Sequence, residues 1–290
     1  MSINTSYPTT PESARLIEVA EIAFIKRQIE GASQLFPNDG FVAEPIGGGV
    51  AAITKPSFGR KLNHVAGFGM DGPVTERDLE TIEGLFGRIG VKPEINLCPF
   101  AHATARDLLT TRGYTICAEM NVYAVSLLEY ETANGKTDTA HNSTATDNGD
   151  EIAISATSSE ELERFITLST AGFQAGNPET DLFHTLAATA TIRPDTQLYF
   201  ARINGQIAGT AGMALIDTPL GRVAELYIDS TVCEYRGKGI QIALLRARLA
   251  EAKHRGYQLA TVTTWPTGTS ARNVERAGFR LAYKKDVYTR

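Results

Sequence analysis

The sequence predicts an α/β (α+β) chain built as two similar halves. Three observations predict it: residues 151–290 alternate in the order β, helices, βββ, α, β, α, β; the closing part of that order recurs in 1–128; and a stretch with nothing to bury, Glu131 to Asp150, divides the two. At 290 residues there is chain enough for two domains or one large one. Apolar residues at 42% and charged residues at 21% are ordinary for a globular protein, which excludes disorder and a disulfide-scaffolded miniprotein.

In the first half, Gly49 to Thr54 and Asn63 to Phe68 suit strands, and Thr75-Glu-Arg-Asp78 caps a helix running to Ile89. Glu94 to Cys98 reads as a strand, Thr104 to Arg112 as a short helix stopped before Gly113-Tyr114, and Ile116 to Leu127 as a last strand. The polar divider then reads as a flexible linker over 129–150, because compact domains rarely hold a structureless loop that long.

The second half opens with the alternating strand residues Ile152 and Ile154 and a capping-box pattern, Thr157-Ser-Ser-Glu160, before a helix carrying Leu162, Phe165 and Ile166. Thr196 to Ile203 turns at Asn204-Gly205 into Gln206 to Ile216, the signal of a tight antiparallel hairpin. A strand from Val223 to Ser230 leads through a Gly-containing turn, Arg236-Gly-Lys-Gly239, into a helix from Ile240 to His254. Leu259 to Thr264 is a strand, Ser270 to Arg276 a short helix stopped by Gly278, and Leu281 to Tyr288 the last strand. The closing segments of the halves overlay: Ala105-Arg106-Asp107 on Ala271-Arg272-Asn273, Gly113-Tyr114 on Gly278-Phe279, Val122-Tyr123 on Val287-Tyr288. This suggests an internal repeat. The first half shows no counterpart of the Gly-rich turn.

Composition narrows the function classes. The net charge is −5 with no basic block, which argues against a nucleic-acid partner or an anionic membrane surface. The three cysteines, Cys98, Cys117 and Cys233, form no CxxC pair, and the five histidines show no HxxxH or HxH spacing, so no metal is expected. Met1 to Glu12 is polar, and no run approaches the ~20 apolar residues of a membrane span, so a cytoplasmic protein is expected.

The sharpest chemical signal is Tyr235-Arg-Gly-Lys-Gly-Ile-Gln241 between a strand and a helix. Glycines allow close backbone approach, and the free N–H groups of a first helical turn make a phosphate seat. The pattern is neither GxxxxGK[ST] nor GxGxxG, which disfavours a P-loop and a dinucleotide fingerprint. By local physics, an ordinary turn with solvated charges fits it as well.

With the flanking order strand, Arg236-x-x-Gly239, long helix, strand, short helix and Gly278-Phe279, the sequence resembles the acetyl-coenzyme-A-dependent GNAT N-acetyltransferase superfamily. Over 151–290 the resemblance includes the Q/R-x-x-G-x-G/A pyrophosphate motif, except that Gln241 stands in place of a small residue. Over 1–128 it is that of a degenerate copy, as in tandem GNAT proteins. It implies two domains, each a mixed, mainly antiparallel sheet flanked by helices, with acetyl-CoA as co-substrate at the second.

The resemblance also implies roles for particular residues. Glu225, eleven residues before Arg236, stands where one branch of the family carries a general-base glutamate; the alternative is a solvent-facing strand carboxylate. Thr231 and Val232 match the splayed segment that holds pantetheine, and Arg236, Gly237, Lys238, Gly239, Ile240 and Gln241 match the pyrophosphate turn. Val274 occupies the place of the family's tyrosine acid and cannot donate a proton. Ser270 and Asn273 are candidates to hold coenzyme A or a water, or serve as helix-cap and surface residues. Tyr227 and Tyr283 are other candidate donors or core aromatics.

Cys233 has no evident histidine partner, which favours direct attack over an acyl-enzyme. Ala171 to His184 falls where the family's early helices wall the acceptor site. The expected activity is an acyltransferase acting on a small-molecule or peptide amine; the alternative is a catalytically silent acyl-CoA-binding regulatory protein. The first half is read as a lid, as part of a shared acceptor cleft, or as the surface of a homodimer.

Overall fold

The computed structural model describes residues 7–130, 142–145, 151–174 and 180–290. It opens with a 25-residue helix, α1 (Pro11–Leu35), an element absent from the expectations above. Its start is locally determined. Pro11 sits in the first turn, the Thr10 side chain accepts from the Ser13 N–H, and the Ser13 hydroxyl accepts from the Thr10 N–H. Its buried face carries Ile17, Ile25 and Ile29 but also Glu18 and Gln28, which breaks the apolar periodicity that would announce a helix.

The first half continues through β1 (Val42–Ile46), β2 (Gly49–Ile53), α2 (Gly59–Leu62), β3 (His64–Ala66), α3 (Glu76–Arg88), β4 (Ile95–Leu97), α4 (Ala103–Thr111) and β5 (Thr115–Ser126). Then come β6 (Asn142–Ala145), β7 (Glu151–Ala156), α5 (Leu162–Gln174), α6 (Thr180–Ile192), β8 (Thr196–Ile203), β9 (Gln206–Thr218) and β10 (Gly221–Thr231). The chain closes with α7 (Ile240–His254), β11 (Leu259–Thr264), α8 (Thr269–Arg276) and β12 (Arg280–Thr289). Of the expected linker, Asn142–Ala145 pairs as an edge strand with β7, and 131–141 and 146–150 lie outside the described residues.

The twelve strands of the described residues form one sheet, ordered β1-β2-β3-β4-β12-β5-β11-β10-β9-β8-β7-β6. Two pairs, β3 with β4 and β10 with β11, are parallel and the others antiparallel among the described residues. The units β3-α3-β4-α4-β5 and β10-α7-β11-α8-β12 therefore repeat one topology. They also exchange their last strands. β5 lies between β11 and β12, and β12 lies between β4 and β5. Each half's sheet is completed by the other, and either half alone would expose long unpaired edges.

The repeated topology corrects one expectation. A glycine-bearing segment, Gly67-Phe-Gly-Met-Asp-Gly72, does occupy the place between β3 and α3 that the Gly-rich turn holds between β10 and α7.

Helices α7 and α8 bury Leu244, Leu245, Leu249 and Val274 against the second half of the sheet, and α3 and α4 bury Leu79, Ile82, Phe86 and Leu109 against the first. On the opposite face α1 spans both halves, touching β2 and β3 as well as β9, β10 and α6. Among the described residues no helix is long and apolar enough to cross a membrane.

Candidate functional site

The site begins where the parallel pair parts. β10 and β11 pair at Val223, Ala224 and Glu225 (with Leu259, Ala260 and Thr261) and no further, although β10 runs on to Thr231 and β11 to Thr264. The cause lies in β10. Ile228 adopts φ 55°, rare for a β-branched residue, and the register with β9 slips between Tyr227 and Ser230. The bulge is anchored from two sides. The fully buried Arg248 of α7 donates to Asp229 Oδ2 at 2.8 Å and to the Gly212 carbonyl at 2.8 Å, and the Ser230 hydroxyl donates to the Ser169 carbonyl of α5 at 3.1 Å. The backbone edge of β10 beyond Glu225 thus faces a cavity of about 1620 Å³ instead of a neighbouring strand.

One end of that cavity is the start of α7, lined by Arg236, Gly237, Lys238, Gly239, Ile240 and Gln241. Gly237 and Gly239 have φ 81° and 80°, and nothing lies within 4 Å of a Cβ at either, so backbone conformation rather than crowding calls for glycine. Gly239 is the N-cap and brings no side chain to the first-turn N–H groups, which stay available to an anion. Arg236 donates to the Gly172 carbonyl at 3.0 Å, and the Lys238 ammonium lies 5.7 Å from the Tyr235 ring centroid. Gln241 joins two helices: its Nε2 donates to Ser270 Oγ at 3.2 Å, and Asn273 Nδ2 donates to its Oε1 at 2.9 Å. An open helix start beside two cations fits a pyrophosphate.

Thr231, Ser270 and Asn273 line the same cavity. Val232 does not; its N–H is used by the Ala208 carbonyl at 3.0 Å. Val274 is fully buried, so core packing fills the place of the family's acid. The Tyr283 hydroxyl donates to Glu18 Oε1 at 2.6 Å, outside the cavity wall, whereas Tyr227 lines the cavity with its hydroxyl 2.9 Å from that of Thr196. Cys233 is exposed. Phe173 and Phe183 stack 4.7 Å apart and both face the cavity, within the stretch expected to wall it; 175–179 lie outside the described residues.

Glu225 is buried and accepts a hydrogen bond from the Thr261 hydroxyl. Burial pushes its pKa up to about 7, against the opposing pull of that hydrogen bond and the cations Lys285 and Arg193, with the negative charge of Glu21 adding to the rise. It is therefore no solvent-facing carboxylate. Close by, Lys285 is wholly buried between Glu18, at 2.7 Å, and Glu21. Burial alone would lower the Lys285 pKa, but the two carboxylates outweigh it and raise it.

Sequence reasoning missed the opposite wall, which comes from the first half: Glu21, Phe24 and Gln28 of α1, then Arg60, Lys61, His64, Glu94, Asn96 and Met120. These residues carry no motif. The polar interruptions of α1 are the one signal that could have pointed to them. Among the described residues no group of His, Cys, Asp and Glu side chains is placed to hold a metal ion.

Residues 162–279 match the family model of the acetyltransferase (GNAT) family. Among solved structures, the chain is similar to a GCN5-related N-acetyltransferase from Kribbella flavida, at 18% identity, TM-score 0.61 and coverage of 95% of each chain. It is likewise similar to a GCN5-related N-acetyltransferase from Sphaerobacter thermophilus, at 13% identity and TM-score 0.52 over 97% of this chain and 93% of that one. A tandem GNAT protein from the clavulanic acid biosynthesis pathway matches at 13% identity and TM-score 0.53, over 82% of this chain and 73% of that one. At these identities the likeness is one of fold, and that fold is the tandem GNAT arrangement. Among curated proteins none matches the sequence.

Proposed function

Because residues 162–279 match the family model of the acetyltransferase (GNAT) family, we propose that this chain transfers an acetyl group from acetyl-CoA to an amine of a small molecule or peptide. The observation that carries the proposal is Glu225, a buried carboxyl with a pKa near 7, at the last paired position before β10 and β11 part. It shares one cavity with the open start of α7. The α7 first-turn amides, with Arg236 and Lys238, hold the pyrophosphate, and Thr231, Ser270, Asn273 and Gln241 flank the rest of the co-substrate.

The transfer is direct. The Glu225 carboxylate takes a proton from the acceptor ammonium, itself or through a water, and the freed nitrogen attacks the thioester carbonyl. The C–N bond forms while unpaired backbone N–H groups of the β10 edge stabilise the oxyanion. The attacking nitrogen, now cationic, gives up its second proton to solvent, and the C–S bond breaks with its electron pair on sulfur. Because Val274 offers no proton, the thiolate takes one from solvent.

The test is acceptor-dependent thiol release across an amine library, with Glu225→Gln as control. A base must be ionised to act, so activity falls as pH drops below about 7 and rises through it. Glu225→Gln lowers kcat/KM by roughly 10²–10⁴-fold and flattens that limb. Thiol release from no amine, or an unchanged profile in the variant, overturns the reading. Stabilisation by acetyl-CoA without turnover would point instead to a silent binder.

A further inference from the structure

The first-half wall of the cavity carries a charge that the protein does not match. Arg60 is paired with Glu94, Nε to Oε2 at 3.2 Å, and its guanidinium lies 5.5 Å from the ring centroid of Trp265, reaching across to the second half. Glu21 is paired with Lys285. His64 is neutral: burial holds its pKa down at about 4, and its ring Nδ1 lies 3.0 Å from the Arg60 carbonyl, which accepts its proton. Lys61, between Arg60 and His64, also lines the cavity, and it has no hydrogen-bond or ion-pair partner among the described residues.

That lack of a partner matters because of where Lys61 stands. Lys61 is exposed and lines the cavity, and the protein around it lowers its pKa. A cation on the cavity wall with no carboxylate beside it is a ready partner for a bound anion. Glu225, the group assigned to receive the acceptor's proton, lines the same cavity. Glu21, paired with Lys285, lines that cavity as well.

We infer that the acceptor is an amine carrying a carboxylate or phosphate at its other end, and that Lys61 binds that anionic group. The inference rests on the acetyl-transfer reading above and narrows it, since the overall acidity of the chain alone favours a cationic or neutral acceptor. The amine lies at Glu225 and the chain of the acceptor passes the Glu21–Lys285 pair. Phe24 and Met120 supply apolar wall along that path.

The experiment uses the full chain with acetyl-CoA and matched acceptor pairs. Amino acids and dipeptides are each set against their C-terminal amides, and aminoalkyl phosphates against their parent amino alcohols. The expected result is a KM at least ~10-fold lower for the anionic member in one of the two series, which also identifies the group. Lys61→Met removes that preference, Lys61→Arg keeps most of it, and the KM for acetyl-CoA stays within about twofold in both, as the internal control that the site is intact. If the neutral partners react as well as the anionic ones, or if Lys61→Met leaves the preference in place, this inference falls and the transfer reading stands. If no amine of either kind releases coenzyme A, both fall.

Discussion

In the first half β3 leads through residues 67–75 into α3; in the second half β10 leads through 232–239 into α7. Each helix is followed by a strand parallel to the one before it. The two helix starts nevertheless use their amides differently. At α3 the Thr75 side chain accepts from the Asp78 N–H at 3.3 Å, and the Asp78 carboxylate accepts from the Thr75 N–H at 2.8 Å and its hydroxyl at 2.7 Å. Glu76 adds negative charge to the same turn. At α7 there is a glycine in place of a cap, with Arg236 and Lys238 alongside. A capping box and an anion seat draw on the same N–H groups, so one topology gives either a self-satisfied helix or a binding site.

The first half has kept a different part in the site. It supplies one cavity wall, and α1 brings Glu18 and Glu21 to Lys285 of β12, the strand that the second half inserts between β4 and β5. Lys285→Met should therefore give the largest effect on stability. It leaves two carboxylates without their cation in a buried place, a loss of about 3–5 kcal/mol. The sign with pH follows from those carboxylates: without Lys285 they hold protons more tightly in the folded state, so the deficit is smallest at acid pH and grows as pH rises. Urea unfolding at pH 5 and pH 8 measures it. A loss below about 1 kcal/mol at both would mean that the halves are held by strand exchange alone.

A smaller effect belongs to the α7 turn. Gly239→Ala places a Cβ where there is open space but forces a left-handed backbone on alanine, which costs about 1–2 kcal/mol. The turn relieves that strain by reshaping the first-turn amides, so affinity for acetyl-CoA should fall by about tenfold, as read by calorimetry. Unchanged affinity would show that the pyrophosphate sits elsewhere and would remove the basis of the contrast with α3.

How far the sequence discloses this arrangement depends on the reach of each signal. The bounds of α7 and β11 and the Asn204-Gly205 hairpin are as the sequence predicts, because caps, turn dipeptides and periodicity act within a few residues. The Gly237–Gly239 turn is legible for the same reason, whereas Glu225 is singled out by the family resemblance and by no local pattern. Helix α1 is not, since Glu18 and Glu21 interrupt its buried face and the cation that compensates them lies more than 260 residues away in sequence. The three-residue strands β3 and β4 are shorter than expected, and the exchange of β5 and β12 depends on partners from opposite halves, which no local pattern encodes. The bulge at Ile228 leaves no mark in composition either; it is held by Arg248 and Ser230 through contacts with other elements.

The smallest effect sharpens the comparison most. Thr75→Ala removes the α3 cap and should cost about 1 kcal/mol in urea unfolding. It frees first-turn amides, yet Glu76 and Asp78 still place two negative charges at that turn, and no Arg or Lys takes the places of Arg236 and Lys238. Gly67 is also closed off: a Cβ there would lie 2.3 Å from Ile22 of α1, so the helix packs where a ligand would have to approach. Calorimetric titration with acetyl-CoA should accordingly give one site per chain both before and after the substitution. A second site gained in Thr75→Ala would mean that the cap alone had silenced the first half. One site in both means that charge and the packing of α1 exclude the ligand there, and that uncapping a helix is necessary for an anion seat without being sufficient.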